Sequence, residues 1–238
     1  EASTVAGIVQ GAVVYHAAAA RIVVAGRLDG NTANSAVGVV SGTNISFGSA
    51  TAYGTANAQK NANTLGYDSA SEKVVVFYKD NGANGDGKAS VGTVDASDNS
   101  IAFATAVTVT TDTVDKTGVQ GFSTAGKIIF VYSDTDNTKG DLKVGTISGT
   151  TLSVGSELNV RNGGHVQYWA LCEDTSNDRI VIAYEASGGN GHGISNVYNP
   201  AYTSTNLTAE NYIGMSSGVV DVTGSAAFVG TPVVFENA

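Results

Sequence analysis

The sequence predicts an all-β fold, a β-propeller built from four-stranded antiparallel blades. The main observation is an internal repeat, in which a basic residue is followed by four apolar residues at Arg21, Lys73, Lys127 and Arg179. The basic residues are separated by 52, 54 and 52 positions. A unit of that length holds four short strands with their turns, which is the size of one propeller blade. Closing such units into a ring also removes the exposed sheet edges that an open stack would leave.

Each repeated apolar run is interpreted as the second strand of its unit. Four apolar residues in a row are typical of a strand that is covered on both faces. A short polar stretch before each run predicts a hairpin turn, and the residues before that turn predict a first strand. In the first unit this place reads 15-YHAAAA-20, which alone would favour a helix. The other three units overrule that interpretation.

The second half of each unit predicts two more strands. Loops rich in Gly, Asn and Asp follow the second strands, and a Val-Gly pair then marks a third strand at Val37, Val91 and Val144. Tight turns that begin at Ser41 and Ser148 lead into a fourth strand. Each unit is therefore predicted to be four antiparallel strands.

The whole chain, residues 1–238, is predicted to be one propeller domain. Its repeats are placed at about 10–60, 61–115, 116–165 and 166–204, and the segment 205–238 departs from the pattern. That segment is interpreted as a degenerate fifth blade, or as an insertion in the fourth unit plus a closing strand. Five blades are favoured over four. Because the chain opens on Glu1 without a signal-like stretch, it is expected to be a fragment or a processed product.

Composition narrows the possible partners. The net charge is −9 and there is no basic run, which argues against nucleic acid as a partner. The longest apolar stretch, residues 11–26, is interrupted by His16 and Arg21 and is too short to cross a bilayer, so no membrane insertion is expected. Cys172 is the only cysteine and cannot form an intrachain disulfide, so it is expected to fill the core.

The loops after the second strands are predicted to share one face of the propeller, where their oxygens would suit Ca²⁺. The best candidate calcium ligands are Asp134, Asp136, Asn137 and Asp141. The alternative is turn chemistry alone, because tight loops need the same residue types for positive φ angles and local hydrogen bonds. The turn interpretation is favoured, and no cofactor other than Ca²⁺ is predicted.

A second candidate site surrounds the only tryptophan. A carbohydrate site needs an exposed ring face beside groups that form planar hydrogen bonds. The candidate ligand-binding residues are His165, Gln167, Tyr168 and Trp169. Asn190 and His192 are added from the loop that follows the second strand of the fourth repeat. The alternative, which is favoured for Trp169, is that it is a large core residue of a first strand.

The sequence shows little of what an enzyme requires. A glycoside hydrolase needs two carboxylates that converge on the centre of the ring. Asp68, Glu173 and Asp174 lie at the ends of first strands, but Asp68 and Asp174 occupy turn positions. No phosphate-binding loop is present. The expectation from sequence is that the protein is not an enzyme.

The repeats resemble a known repeat type. The Lys-Val-Val-Val-x-Tyr strand at 73–78, the Val-Gly-Thr-Val strand at 91–94 and the Ile-Ser-Phe-Gly strand at 45–48 are similar to repeats in tail-fibre and other virion proteins of marine and environmental phages. Residues 206–214 are similar to a segment that follows those repeats. The resemblance implies a virion or extracellular surface location. It also implies a host glycan or surface protein as ligand and other virion or fibre subunits as partners.

The function expected from sequence is therefore non-enzymatic adhesion or receptor binding, through loops on one face of the propeller. Two alternatives remain open: a structural virion module without a ligand, and a secreted glycan-active enzyme. Exposed aromatic side chains in the loops would favour the first function, and paired carboxylates at the centre would favour the enzyme.

Overall fold

The structure, a computed structural model, describes residues 9–27, 33–54, 58–123, 126–161, 163–186, 192–199, 214–216 and 219–221. Within these ranges the regular structure is β, apart from 3₁₀ residues at Asn81–Ala83 and at Ser123. None of the described residues forms a helix long and apolar enough to cross a membrane.

Four antiparallel sheets follow one another along the chain. Sheet 1 contains β1 (Val9–His16), β2 (Arg21–Arg27), β3 (Ala33–Ser41), β4 (Asn44–Phe47) and β5 (Thr51–Ala52). Sheet 2 contains β6 (Ala58–Asp68), β7 (Lys73–Asp80), β8 (Asp86–Asp95), β9 (Ser100–Phe103) and β10 (Val107–Thr110). Sheet 3 contains β11 (Val114–Phe122), β12 (Lys127–Asp134), β13 (Lys139–Ser148) and β14 (Thr151–Arg161). Sheet 4 contains β15 (Val166–Asp174), β16 (Arg179–Ala186) and β17 (His192–Tyr198), and a separate pair is formed by β18 (Gly214–Ser216) and β19 (Val219–Asp221).

Each sheet has the strand order that the repeat predicts. The first, second and third strands pair in sequence, and in sheets 1 and 2 the fourth position is shared by two short strands that both pair with the third. The repeated apolar run is the second strand, and in β7 and β12 residues 74–78 and 128–132 are buried on both faces. That burial explains why these strands do not alternate between apolar and polar residues.

The four sheets are arranged around a ring, with their first strands at its centre. β1 packs on β6, β6 on β11, and β11 on β15. The prediction of a β-propeller with antiparallel blades is therefore confirmed. Four blades lie within the described residues, which is the number given as the alternative to five. Of the segment 205–238, the structure describes only β18 and β19.

Glycines let the first strands approach one another at the centre. A Cβ atom on Gly121 would lie 1.9 Å from the backbone oxygen of Tyr67 in the neighbouring sheet, and one on Gly118 would lie 3.1 Å from Cβ of Trp169. No side chain fits against the backbone of Tyr67, so the spacing of sheets 2 and 3 at the axis depends on glycine at position 121, while at position 118 side chains would have to shift.

The core lies between the sheets, in three layers. Sheets 1 and 2 enclose Tyr53 and Tyr78, whose ring centroids are 5.6 Å apart. Sheets 2 and 3 enclose Phe77 and Phe130 at 5.1 Å. Between sheets 3 and 4, Ile129 and Leu142 pack with Ile182 and Tyr184. Because every layer takes side chains from two sheets, neighbouring blades hold each other in place.

Candidate functional site

The ring has two ends with different chemistry. One end, which we call the loop face, carries the starts of the first strands and the turns after the second strands, including 80–86 and 134–139. The opposite end, the turn face, carries the hairpin turns at 17–20, 69–72 and 175–178. In an antiparallel blade these two sets of connections must lie at opposite ends.

Every first strand has a β-bulge near its start, at the loop face. The pairing with the second strand shifts between Val9 and Ala12 in β1, Ala58 and Asn63 in β6, Val114 and Thr117 in β11, and Gln167 and Ala170 in β15. We call these four irregularities the central bulges. A bulge redirects side chains out of the regular alternation, and bulges are frequent next to functional sites. Each bulge places residues of a first strand near the centre of the loop face. The position is the same in every blade, and the residue types differ from blade to blade.

The bulge of β15 holds Tyr168 in an unusual conformation. Tyr168 has a φ of 55° and its side chain is 66% exposed. The other non-glycine residues with positive φ among the described residues lie in turns, whereas Tyr168 lies inside a strand. A bulky side chain in the left-handed region costs free energy, and such strain persists only where the surrounding structure enforces it. The result is an aromatic ring displayed to solvent at the centre of the loop face.

Trp169 supports this bulge from behind. Its Nε1 donates to Oγ of Ser133 at 3.0 Å, and its ring centroid lies 5.1 Å from that of Tyr184. Ser133 in turn donates to the backbone oxygen of Val166. Trp169 thus lies half-buried between sheets 3 and 4. Its contacts with Ser133 and Tyr184 stabilise the position of β15, the strand that carries Tyr168. Its placement agrees with the interpretation of Trp169 as a core residue, whereas Cys172, which was also expected to fill the core, is exposed within the described structure.

The other candidate ligand-binding residues are distributed unevenly. His165 is exposed just before β15, and Gln167 is half-buried within it. His192 is the first residue of β17, where its backbone lies opposite Ala186. Asn190 lies outside the described residues. The structure therefore brings His165, Gln167 and Tyr168 to one place on the loop face.

The bulge of β11 carries a charged pair that sequence reasoning missed. Asp115 and Lys116 lie between the shifted positions of β11, as Tyr168 and Trp169 do in β15. Lys116 Nζ lies 2.8 Å from Asp115 Oδ2, and both side chains remain partly exposed. A carboxylate and an ammonium group thus occupy the equivalent place in the neighbouring blade.

The residues predicted to bind calcium are engaged in turn hydrogen bonds. Asp134 Oδ1 accepts from the backbone nitrogens of Asp136 at 2.9 Å and Asn137 at 3.1 Å, and its Oδ2 accepts from Asn137 Nδ2 at 2.7 Å. Asp136 Oδ2 accepts from the backbone nitrogen of Thr113. No group of three or more His, Cys, Asp or Glu side chains in the described part of the chain is arranged to hold a metal ion.

Asp141, the remaining calcium candidate, is buried beneath the loop face. Its Oδ1 accepts from Asn159 Nδ2 at 2.8 Å, and its Oδ2 has no hydrogen-bond partner. Burial raises the pKa of Asp141 to about 6, an effect that the Asn159 hydrogen bond opposes and the nearby Glu157 carboxylate reinforces. The raised pKa follows from desolvation, and the side chain is closed off from solvent.

Glu157 links Asp141 to a charged cluster between sheets 2 and 3. Tyr132 Oη donates to Glu157 Oε2 at 2.5 Å, and burial raises the pKa of that phenol. Lys143 Nζ lies 3.5 Å from Glu157 Oε2 and donates to the backbone oxygen of Val109 in sheet 2. These contacts join two blades, so their first role is to stabilise the interface.

The three carboxylates considered for hydrolysis lie at the turn face. Asp68 accepts from Ala70 and Ser71, while Glu173 Oε1 accepts from the backbone nitrogen and Oγ of Ser123 at 2.7 and 2.6 Å. Asp174 accepts from the turn that follows it. Each carboxylate accepts hydrogen bonds from nearby turns at this end of the ring.

The fold is similar to that of a known enzyme. An endo-arabinase from Bacteroides thetaiotaomicron VPI-5482 matches with a TM-score of 0.54 and 6% sequence identity, covering 84% of this chain and 81% of the enzyme's chain. No family model matches the sequence. No curated protein matches it either. At this identity the likeness establishes the propeller architecture alone.

That likeness corrects the expectation that the protein is not an enzyme. The expectation came from missing local motifs, such as a phosphate-binding loop, and from the lack of a visible catalytic constellation in the sequence. The same propeller architecture carries an endo-arabinase. Because a catalytic constellation on a propeller is assembled from separate blades, its residues need no fixed spacing in the sequence. Missing local motifs therefore give no ground for excluding catalysis.

Proposed function

We propose that the protein recognises a carbohydrate chain on the loop face, across the central bulges. The observation that carries this proposal is Tyr168, an exposed ring held at positive φ inside the bulge of an innermost strand. A rigid, exposed aromatic ring provides a flat apolar surface for the carbon-bound hydrogens of a sugar. Its hydroxyl group adds a hydrogen bond at the edge of that surface.

Polar groups around the bulges suit the hydroxyl groups of a sugar. Asp115 accepts hydrogen bonds and Lys116 donates them, while Gln167 does both. His165 adds an exposed imidazole beside the strand that carries Tyr168. This combination of one stacking ring and several orienting polar groups is typical of small-molecule and glycan sites.

The proposed setting is a cell or virion surface, with a host glycan as the ligand. The resemblance to phage tail-fibre repeats supports this setting. Contacts centred on one aromatic ring are individually weak, and several copies on one particle would strengthen them.

A second candidate function is glycan cleavage, favoured by the architecture shared with an endo-arabinase. Asp115 is the candidate catalytic carboxylate, because it lies in a central bulge and remains partly exposed. Hydrolysis requires a second carboxylate within about 10 Å of the first. Asp141 and Asp134 are fully buried, so neither reaches a substrate on the loop face.

Binding is tested with the purified chain against a panel of soluble bacterial and plant polysaccharides. We expect at least one to bind, and Tyr168→Ala to weaken that binding at least ~10-fold, because one lost stacking contact is worth about 1.4 kcal/mol or more. Tyr168→Phe is the matched control, since it keeps the ring and should bind within a few fold of the wild type. If Tyr168→Ala binds the polysaccharide as tightly as the wild type does, Tyr168 is not part of the binding site.

Cleavage is tested by the release of reducing ends from the polysaccharides that bind. If the protein cleaves its ligand, Asp115→Asn abolishes product release and retains binding, because the amide keeps the shape but not the charge. If the wild type binds without releasing product, the cleavage candidate fails and the recognition proposal stands.

A further inference from the structure

His16 occupies a position that is an aspartate in two other sheets. It is the last residue of β1, and Asp68 and Asp174 are the last residues of β6 and β15. Each aspartate accepts a hydrogen bond from a backbone nitrogen of the hairpin turn that follows it. His16 does the same with its ring, because the backbone nitrogen of Ala19 donates to Nδ1 at 3.1 Å. An imidazole therefore holds the turn of sheet 1 where carboxylates hold the turns of sheets 2 and 4.

The hydrogen bond from Ala19 determines which ring nitrogen of His16 carries the proton. A backbone nitrogen can only donate, so Nδ1 accepts and has no proton of its own. The proton is therefore on Nε2, which donates to the backbone oxygen of Glu72 at 3.2 Å. Glu72 belongs to the hairpin turn of sheet 2. One neutral imidazole thus joins the hairpin turns of two neighbouring sheets.

Tyr67 of sheet 2 completes this contact. Its ring centroid lies 4.7 Å from that of His16, and its hydroxyl oxygen accepts from the backbone nitrogen of Ala18 at 3.3 Å. His16 is 3% exposed, so its ring is held away from water. We call the contacts among His16, Ala18, Ala19, Tyr67 and Glu72 the turn clasp. It ties sheet 1 to sheet 2 at the turn face.

The surroundings of His16 favour the neutral imidazole. Burial lowers the pKa of His16 below its ordinary value of 6.5, and the Lys73 ammonium group adds to this effect. The hydrogen bond to Glu72 and the carboxylate of that residue oppose it. Arg21, opposite His16 in β2, directs its guanidinium to oxygens of the turn between β8 and β9. The carboxylate of Asp68 accepts from its own turn.

We propose that the turn clasp is an acid-sensitive switch between sheets 1 and 2. Protonation of His16 adds a proton at Nδ1, which changes the acceptor of the Ala19 hydrogen bond into a donor. Because two donors then face each other, residues 17–20 move away from the ring, and the hydrogen bond from Ala18 to Tyr67 is lost. The turns of sheets 2 and 4 keep their acceptors, since an aspartate ordinarily gains its proton only near pH ~4.

This switch lies at the opposite end of the ring from Tyr168, so it does not depend on a ligand at the loop face. It acts by opening one turn locally, and exposed turns of this kind open at a small cost in free energy. The contacts between sheets 1 and 2 at the turn face would therefore weaken on acidification, while the core between the two sheets stays closed.

The first experiment is an NMR titration of the wild-type chain between about pH 7.5 and 5. We expect the ring nitrogens of His16 to show the Nε2-protonated neutral form at the upper end and to titrate below pH 6.5. The amides of Ala18 and Ala19 should shift with the same midpoint and lose at least ~5-fold of their protection from hydrogen exchange, after correction for the intrinsic effect of pH. The turn at 175–178 is the internal control and should not respond. If His16 titrates while both alanine amides stay unchanged, the proposal is wrong.

The second experiment uses His16→Asn, whose side-chain oxygen can still accept from Ala19 and does not titrate. We expect residues 17–20 to lose their pH response in this variant, and the wild type to lose stability relative to it as pH falls below 6.5, because the unfolded chain then binds the proton more readily. His165→Asn is the control, since it removes an exposed histidine at the loop face and should leave the response intact. A response of residues 17–20 that persists in His16→Asn would assign it to another group and contradict the proposal.

Discussion

Tyr168 combines exposure with backbone strain, and the two can be separated by substitution. Its φ of 55° lies in the left-handed region, which glycine adopts without a steric penalty. Alanine at this position would lose the ring and keep the strain. Glycine would lose both.

We therefore expect Tyr168→Gly to be more stable than Tyr168→Ala by about 1 kcal/mol, because only the glycine variant relieves the left-handed conformation. The measurement is the free energy of unfolding in urea for both variants. Neither should bind the carbohydrate that the wild type binds. A glycine variant that is less stable than the alanine variant would show that Tyr168 is not strained.

Asp141 gives the fold a dependence on pH whose sign follows from its environment. Burial raises its pKa from 3.8 to about 6 in the folded protein. Between these values the unfolded chain has lost the proton while the folded protein keeps it. The folded state therefore loses stability as pH rises from 3.8 to about 6, and the loss is complete above that range.

Asp141→Asn should remove this dependence, since the amide carries no charge and its oxygen still accepts from Asn159. Relative to the variant, the wild type should lose up to about 3 kcal/mol between pH 4 and 7. Urea unfolding of both proteins across that range measures the difference, in which the contributions of other carboxylates cancel. If the difference in the free energy of unfolding between the two proteins does not change with pH, the pKa of Asp141 is not raised in the folded protein.

At the scale of elements, one four-residue motif forms turns at both ends of the ring. Residues 134–137 read Asp-Thr-Asp-Asn at the loop face and residues 174–177 read Asp-Thr-Ser-Asn at the turn face. In both, the aspartate accepts from two backbone nitrogens and from the asparagine side chain. The motif therefore specifies a turn by itself, with no need of a cation.

We expect Asp134→Ala to lower the free energy of unfolding by about 2 kcal/mol, because three partly buried donors of the turn would lose the buried carboxylate that accepts from them. Asp174→Ala should cost less, since its turn is exposed to water. The pair is compared by thermal or urea unfolding. A wild-type protein whose stability rises on addition of calcium, with the rise lost in Asp134→Ala, would favour the calcium site over turn chemistry.

The first strands depend on glycine for their packing. We expect Gly121→Ala to destabilise the protein by about 3 kcal/mol or more, because its Cβ would collide with the backbone of Tyr67, which cannot move aside cheaply. Gly149→Ala is the control, because it has open space around the new Cβ and only a positive φ. That variant should lose about 1 kcal/mol. Equal losses would show that the sheets can separate to accept a side chain.

At the scale of the whole molecule, the shared cores predict cooperative unfolding. Trp169 is the only tryptophan and lies between sheets 3 and 4, so its fluorescence reports on that interface. We expect its urea transition to coincide with the loss of β structure measured by circular dichroism, since each sheet is buried against its neighbour. A fluorescence transition at lower urea would show that sheet 4 separates before the rest unfolds.

Part of the candidate site was visible in the sequence and part was not. Tyr168 and His165 were found because aromatic and histidine residues cluster in one stretch. Asp115 and Lys116 were missed, because nothing in 114-VDKT-117 marks a bulge. The signal lies in register, since these residues occupy the place in their unit that Tyr168 and Trp169 occupy in theirs.

The sequence by itself determined the repeat, the order of strands within each unit and hence the propeller. These features depend on local patterns, namely apolar runs, turn residues and a constant period, which survive without knowledge of distant contacts. Only the tertiary structure decided that Asp141 is buried, that Trp169 fastens one blade to the next and that Tyr168 is strained and exposed. Those properties depend on which residues of other blades lie opposite, and a strand's own sequence carries no record of its neighbour's register.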